Sequence, residues 1–263
     1  MYENAKAEVI VDRGKTLLKI VFKGNPKPKM VTAHRFNQLI ELDDYTTEFT
    51  LLLDFYRLLP FSENQFTQCG TLLEDVVAKH FYPDSIAFER EPYGTSQFNN
   101  KGVGGYLDRY QKSDKAIIEI KTVYTEAKYN VIQEGWKRQT AVYWKLWNSE
   151  NPNEKIDKVK FGCLYVPFKK IQEILDIEPK SNVTMEKLIE MGCKPFQSEY
   201  SFTDEEIEKY FNDARQGYKK LMSGIKRVDD GNLIIFWNKA LSKLDIEALR
   251  EADRNGLIKL TTN

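Results

Sequence analysis

Histidine is nearly missing from this chain: two residues, His34 and His80, in 263. That supply is too small for an imidazole-built zinc site and leaves little for a Ser-His-Asp relay. Cysteine is also scarce. Cys69, Cys163 and Cys193 are odd in number and lack the paired spacing of a zinc or iron–sulfur site, so they read as reduced thiols of a cytoplasmic protein, not as a disulfide frame. No apolar run approaches the ~18 residues of a membrane helix, and residues 1–15 have no signal-peptide core. There is no G-x-x-x-x-G-K phosphate loop, no G-x-S-x-G elbow and no C-x-x-C pair. Gly102-Val103-Gly104 begins like a dinucleotide loop but has Leu107 where the third glycine belongs, and it precedes a strand instead of following one. Net charge is absent too, 39 basic against 39 acidic residues, which argues against a protein that coats nucleic acid indiscriminately.

What is present describes a globular chain. Hydrophobic residues make up 41% and aromatics 13%, enough for a substantial core in one large domain. Residues 8–22 read as a hairpin, Glu8–Val11 and Thr16–Phe22 about a turn at Asp12-Arg13-Gly14-Lys15. Thr32 is placed to cap a helix bearing Phe36, Leu39 and Ile40, and a second helix spans about Thr46–Leu59 before Pro60. Gly70 is expected to open a third, with Leu73, Val76, Val77 and His80 on its apolar stripe and Glu74 beside it. The period then changes: Ile86–Glu89, Gly105–Tyr110 and Lys115–Thr122 look like strands. A long helix of about Asn130–Trp147 and a strand Val159–Val166 follow. Thr203 and Glu206 make a capping box, Leu233–Trp237 a short strand, and Asp245–Arg254 a last helix ending at Gly256. The sum is an α/β fold, a central mixed sheet flanked by helices. It is expected as a single domain: residues 1–29 a hairpin and connector, 30–170 a catalytic core, 171–263 a C-terminal α/β extension.

One stretch carries chemistry. Asp108 sits among small and aromatic residues, and eleven positions on the apolar run Ala116-Ile117-Ile118 leads into Glu119, Ile120 and Lys121. Alternation puts Glu119 and Lys121 on one side of a strand and Ile118 and Ile120 on the other. Two ionised groups in so apolar a strand are costly to bury unless something neutralises them, and a divalent cation held by Asp108 and Glu119 would do so. Taken alone, an acid followed by Glu-x-Lys is as often a surface ion pair.

Its company gives it meaning. Gly70-x-x-x-Glu74 precedes it and Gln139-x-x-x-Tyr143 follows on the long helix, an order that resembles the PD-(D/E)xK nuclease superfamily, in particular its RecB-like and lambda-exonuclease-like members. The segment 30–40 is similar to the N-terminal helix of phage recombination exonucleases, and the resemblance covers about residues 31–147. Leu107 stands where many members have proline. The resemblance implies that Glu74, Asp108, Glu119 and the Ile120 carbonyl hold one or two Mg²⁺ or Mn²⁺ ions, with Lys121 as base or electrostatic aid. It implies that Gln139 holds Lys121 or the scissile phosphate, that Tyr143 packs or hydrogen-bonds beside the site, and that Arg35 contacts a 5′-phosphate or the DNA backbone.

The activity implied is metal-dependent exonucleolytic resection of linear duplex DNA ends in phage-type recombination or repair. A single-strand annealing protein would be the partner, and a ring-shaped homo-oligomer the assembly. Two other readings keep the fold. A restriction or repair endonuclease with the same site would cut closed circular plasmid into discrete fragments. A non-catalytic nuclease-like module, binding a protein through residues 150–263, would cleave nothing.

Overall fold

The computed structural model describes residues 5–12, 17–60, 63–87, 98–100, 103–223 and 226–262. In chain order the first elements are β1 (Ala7–Asp12), β2 (Leu17–Phe22), β3 (Val31–Thr32), α1 (Ala33–Ile40) and α2 (Glu48–Phe55). The middle holds α3 (Gln65–Phe81), β4 (Ile86–Ala87), β5 (Phe98–Asn100), β6 (Val103–Gly105), β7 (Arg109–Gln111), β8 (Ala116–Val123) and α4 (Glu134–Glu150). It continues with β9 (Lys158–Tyr165), α5 (Ile171–Leu175), α6 (Met185–Glu190) and β10 (Lys194–Tyr200). The chain closes with α7 (Asp204–Met222), β11 (Lys226–Asp229), β12 (Asn232–Trp237), α8 (Lys243–Arg254) and β13 (Ile258–Thr262). The α/β class is as expected, with mixed sheets flanked by helices.

Contacts divide the chain into two compact units, Met1–Phe61 with Tyr210–Asn263, and Ser62–Lys209. The boundaries expected at residues 30 and 170 do not follow this division. The reason is long-range pairing: β13 adds to β1 in parallel, Val9 opposite Leu260, so the two ends of the chain share one sheet ordered β11-β12-β2-β1-β13. In that unit the alternation of β1 and β2 buries Val9 and Ile20 completely. Ring pairs Phe36–Phe211, Phe49–Trp237 and Phe55–Tyr218 join its helices and sheet at 4.8, 5.1 and 5.7 Å. Thr47 donates to Asp245, which also accepts from Ser242 N–H in the α8 capping box.

The second unit is built on the sheet β10-β9-β8-β7-β4, where β8 and β9 run parallel and the other pairs antiparallel. Its α3 begins five residues earlier than Gly70. Asn64 Oδ1 accepts from the Phe66 and Thr67 amides at 2.9 and 3.1 Å, and Thr67 Oγ1 in turn accepts from Asn64 N–H. Cys69, Leu73 and Val77, four apart, then form one stripe and pack with Ile118 and Ile120 of β8. The expected strand Gly105–Tyr110 is two short strands, β6 and β7, with Asp108 in the bend between them. The long helix begins at Glu134, four residues later than expected. The Thr203–Glu206 capping box is present, as is the Gly256 turn at φ +67°. Arg13–Lys15 of the expected hairpin turn and the last two residues of the expected Ile86–Glu89 strand lie outside the described residues.

In the first unit Gly217 of α7 lies against α1, and a Cβ there would stand 1.9 Å from the Leu39 carbonyl oxygen. Helix propensity alone favours alanine by about 1 kcal/mol. Overpacking against backbone outweighs it, so Gly217→Ala is expected to destabilise by roughly 2 kcal/mol and to lower the thermal midpoint by about 4 °C or more. An unchanged or raised midpoint in scanning calorimetry contradicts this close approach.

Candidate active site

The site is set by the central strand of the second unit. β-Branched and apolar residues place β8 between β7 and β9, and alternation turns Ile118 and Ile120 into the core under α3. Glu119 and Lys121 face the other way, as the sequence predicts. Gly162, opposite Ile120 on β9, makes room for that packing: a Cβ there would meet Ile120 Cδ1 at 2.9 Å and Tyr82 and Val77 at 3.2 Å.

Glu119 is 1% exposed, yet among the described residues one of its two oxygens finds a hydrogen-bond partner and the other does not. Its Oε1 accepts from Lys121 Nζ at 2.5 Å and from Gln139 Nε2 at 2.9 Å. Lys121 also donates to Gln139 Oε1 at 3.0 Å, and Gln139 Nε2 to the Tyr143 hydroxyl at 3.2 Å. These contacts fix both ends of the Gln139 amide and close a polar loop between β8 and α4. The second carboxylate oxygen, Glu119 Oε2, is buried without a hydrogen-bond partner among the described residues. A buried unmet acceptor of this kind costs about 1–3 kcal/mol, more when charged.

The other acids surround this group electrostatically. Burial first, then the charge of Asp108, and last that of Glu74 push the Glu119 carboxyl from its ordinary 4.5 up to about 8, against the opposing pull of Lys121. Burial works against the Lys121 ammonium, but Glu119 and Asp108 outweigh it and hold the amine protonated. Cys163, the register partner of Lys121 on β9, is pushed up to about 12 by burial and stays a thiol. Asp108 Oδ2 accepts from the Ile120 amide at 2.8 Å, which ties the bend to the strand one residue beyond Glu119.

Glu74 comes from α3, and three polar ties hold that helix. Tyr124 donates its hydroxyl to Phe66 O at 2.7 Å near the N-terminal end, and the Tyr82 hydroxyl to Phe161 O at 3.0 Å just past the C-terminal end. Between them Arg109 donates to Asp75. Arg109 and Asp75 each follow an acid of the site, Asp108 and Glu74, so the pair couples the helix to the bend at the site. Sequence reasoning missed it; an arginine in a buried strand directly after Asp108 was the available signal.

Among the described residues no three His, Cys, Asp or Glu side chains stand as a ready metal cage. Asp108 is turned to the Ile120 amide and Glu119 to Lys121, so the acids share a field without converging on one point. The donor set nevertheless fits a hard divalent cation: carboxylate oxygens, the Ile120 backbone between them, and an orphaned Glu119 Oε2. Arg35 belongs to the other unit, where its Nε donates to Asp54 at 2.5 Å and its guanidinium to Thr32 Oγ1 at 3.3 Å. Those contacts give it a structural job at the start of α1. Thr32, expected to cap that helix, makes no side-chain capping bond and accepts from Arg35 instead.

No family model and no curated protein matches the sequence. Among solved structures, the chain is similar to a phage-related exonuclease from Haemophilus somnus 129PT (TM-score 0.47, 17% identity, 74% of this chain and 96% of that one). It is also similar to an alkaline exonuclease, LHK-Exo, from Laribacter hongkongensis (TM-score 0.46, 16% identity, 73% and 87%). LHK-Exo in complex with dAMP gives a TM-score of 0.47 at 15% identity.

The raised Glu119 carboxyl has a stability consequence of definite sign. The folded protein binds this proton more tightly than the unfolded chain, so the metal-free protein loses stability as pH rises from about 4.5 through 8. Glu119→Gln removes that loss. Its thermal midpoint is expected to match the parent near pH 5 and to exceed it by roughly 3 °C or more at pH 9. Parallel pH curves for the two proteins contradict the assignment.

Proposed function

We propose that this chain is a divalent-metal-dependent deoxyribonuclease that hydrolyses phosphodiesters at the ends of linear duplex DNA. The observation that carries this reading is the buried Glu119, ion-paired to Lys121 and short of one partner at Oε2, within the field of Asp108 and Glu74.

Glu74, Asp108, Glu119 and the Ile120 carbonyl would hold one or two Mg²⁺ or Mn²⁺ ions in this reading. A bound divalent cation supplies the positive charge that offsets the phosphate being attacked. The chain's own groups do the rest. Glu119 would offer its unpartnered Oε2 to the cation, and Asp108, whose Oδ2 accepts from the Ile120 amide, would hold the bend beside it. Lys121, whose charged form Glu119 and Asp108 favour over the neutral amine, would donate to a phosphate oxygen and stabilise the charge that builds there. Water adds to phosphorus and releases a proton to solvent as the bond to the leaving sugar oxygen breaks, and that oxygen takes up a proton from solvent. Gln139, held by Glu119, Lys121 and Tyr143, keeps the ammonium aimed and stops it swinging away along its flexible stem.

Purified protein with magnesium is expected to degrade linear duplex DNA, spare closed circular DNA, and lose all cleavage in EDTA. Glu119→Gln and Lys121→Ala each lower the rate by about 10³-fold or more, and Gln139→Ala by about 10- to 100-fold through misplacement of Lys121. Magnesium-dependent cleavage by Glu119→Gln at the parent rate would refute the assignment; cutting of closed circles would refute action at ends.

A further inference from the structure

The strand register of the second unit places side chains in rows across the sheet, because residues paired across neighbouring strands point to the same face. Glu119 is paired with Phe161, and Phe161 with Ser198. The next row is Lys121, Cys163 and Phe196, and the one after is Val123, Tyr165 and Lys194. The face that carries the buried carboxylate therefore runs on through Phe196, two strands away and one row further on, and Tyr165, one strand away and two rows further on.

Over the Glu119 row, Trp136 of α4 stacks on Phe161, centroids 6.2 Å apart and planes at 29°. Over the outer rows, Tyr129 sits 6.1 Å from the Tyr165 ring and 6.3 Å from Phe196, nearly perpendicular to the latter at 83°. All three rings are partly open to solvent. Exposed Lys128 precedes Tyr129, and exposed Lys194 lies in the Tyr165 row, ion-paired with the exposed Glu126. Successive rows are about 6.6 Å apart. The aromatic group thus starts in the Lys121 row, two strands across the sheet at Phe196, and reaches outward by about one further row at Tyr165.

We propose that Phe196, Tyr165 and Tyr129 form a stacking platform for a single strand of nucleic acid leading to or from the Lys121 site, with Lys128 and Lys194 beside its phosphates. The inference rests on the nuclease reading and gives that site its strand path. Flat rings next to flexible cations suit single-stranded nucleic acid, since each base offers a π-face whatever its identity and the backbone needs only mobile positive charge. A protein partner's apolar side chains would have no use for the flanking lysines.

The test reads binding, not cleavage. A short fluorescent oligothymidylate and an abasic strand of the same length are titrated with the full chain in EDTA, and anisotropy is followed. The parent is expected to bind the thymidylate more tightly than the abasic strand. Tyr165→Ala and Phe196→Ala weaken thymidylate binding by about 5- to 100-fold and bring the two strands level. Tyr165→Phe keeps the ring and binds as the parent does, and Phe196→Leu, which keeps apolar packing, still loses the preference for bases. The proposal is overturned if the parent binds both strands equally, or if the alanine variants, native by circular dichroism, retain the preference. An active Glu119→Gln would sink the nuclease reading without touching this result, and failure here leaves the cleavage assays untouched.

Discussion

A carboxylate buried to 1% exposure with one satisfied oxygen is the constraint around which the second unit is arranged. Lys121 alone does not neutralise it. Burial, then the charges of Asp108 and Glu74, raise the Glu119 carboxyl against the pull of Lys121, while Glu119 and Asp108 raise the Lys121 ammonium against burial. A fold that sought only stability would place an apolar residue in this strand, since well-packed hydrophobic side chains do at least as well as buried ion pairs. The arrangement holds an unmet demand for positive charge, and the rest of the unit keeps that demand in place.

Each supporting element answers to it. The core beneath β8 fixes the strand from the far face, through Ile118 and Ile120 against Leu73 and Val77. Gly162 sets how closely the helix can approach. Asp108 reaches the site by anchoring its bend to the Ile120 amide, and the Arg109–Asp75 pair binds that bend to α3 next to Glu74. From the near face, α4 supplies an amide that is both donor and acceptor, so Gln139 can hold a carboxylate and an ammonium at once. The sheet's parallel pair then carries the aromatic rows outward from the same face.

Local signals were legible where the physics is local. Alternation in Ala116–Val123 told which side Glu119 and Lys121 take, and the Thr203–Glu206 box and the Gly256 turn appeared where their residues demanded. Gly70 suggests a helix start, but the capping box is formed by Asn64 and Thr67, six and three residues upstream. Gly70 lies within the helix instead. Non-local facts were illegible for a different reason. Nothing near Ala7 announces that its neighbour is Ile258, so the two-unit division could not be read from composition or spacing. Gln139 came to notice only through a family resemblance, since an amide on an amphipathic helix is ordinary; its bonds to Glu119 and Lys121 are visible only in three dimensions. The five-residue α5 and six-residue α6 are too short for periodicity to reveal.

The central claim is that Glu119 keeps its proton until a divalent cation takes its place. Calorimetric titration of Mn²⁺ into metal-free protein at pH 7, repeated in buffers of different ionisation heat, counts the protons released on binding. A group with its pKa near 8 gives up about one proton on loading, so the parent should release close to one and Glu119→Gln none. Manganese binding without proton release, or equal release from both proteins, would contradict the account.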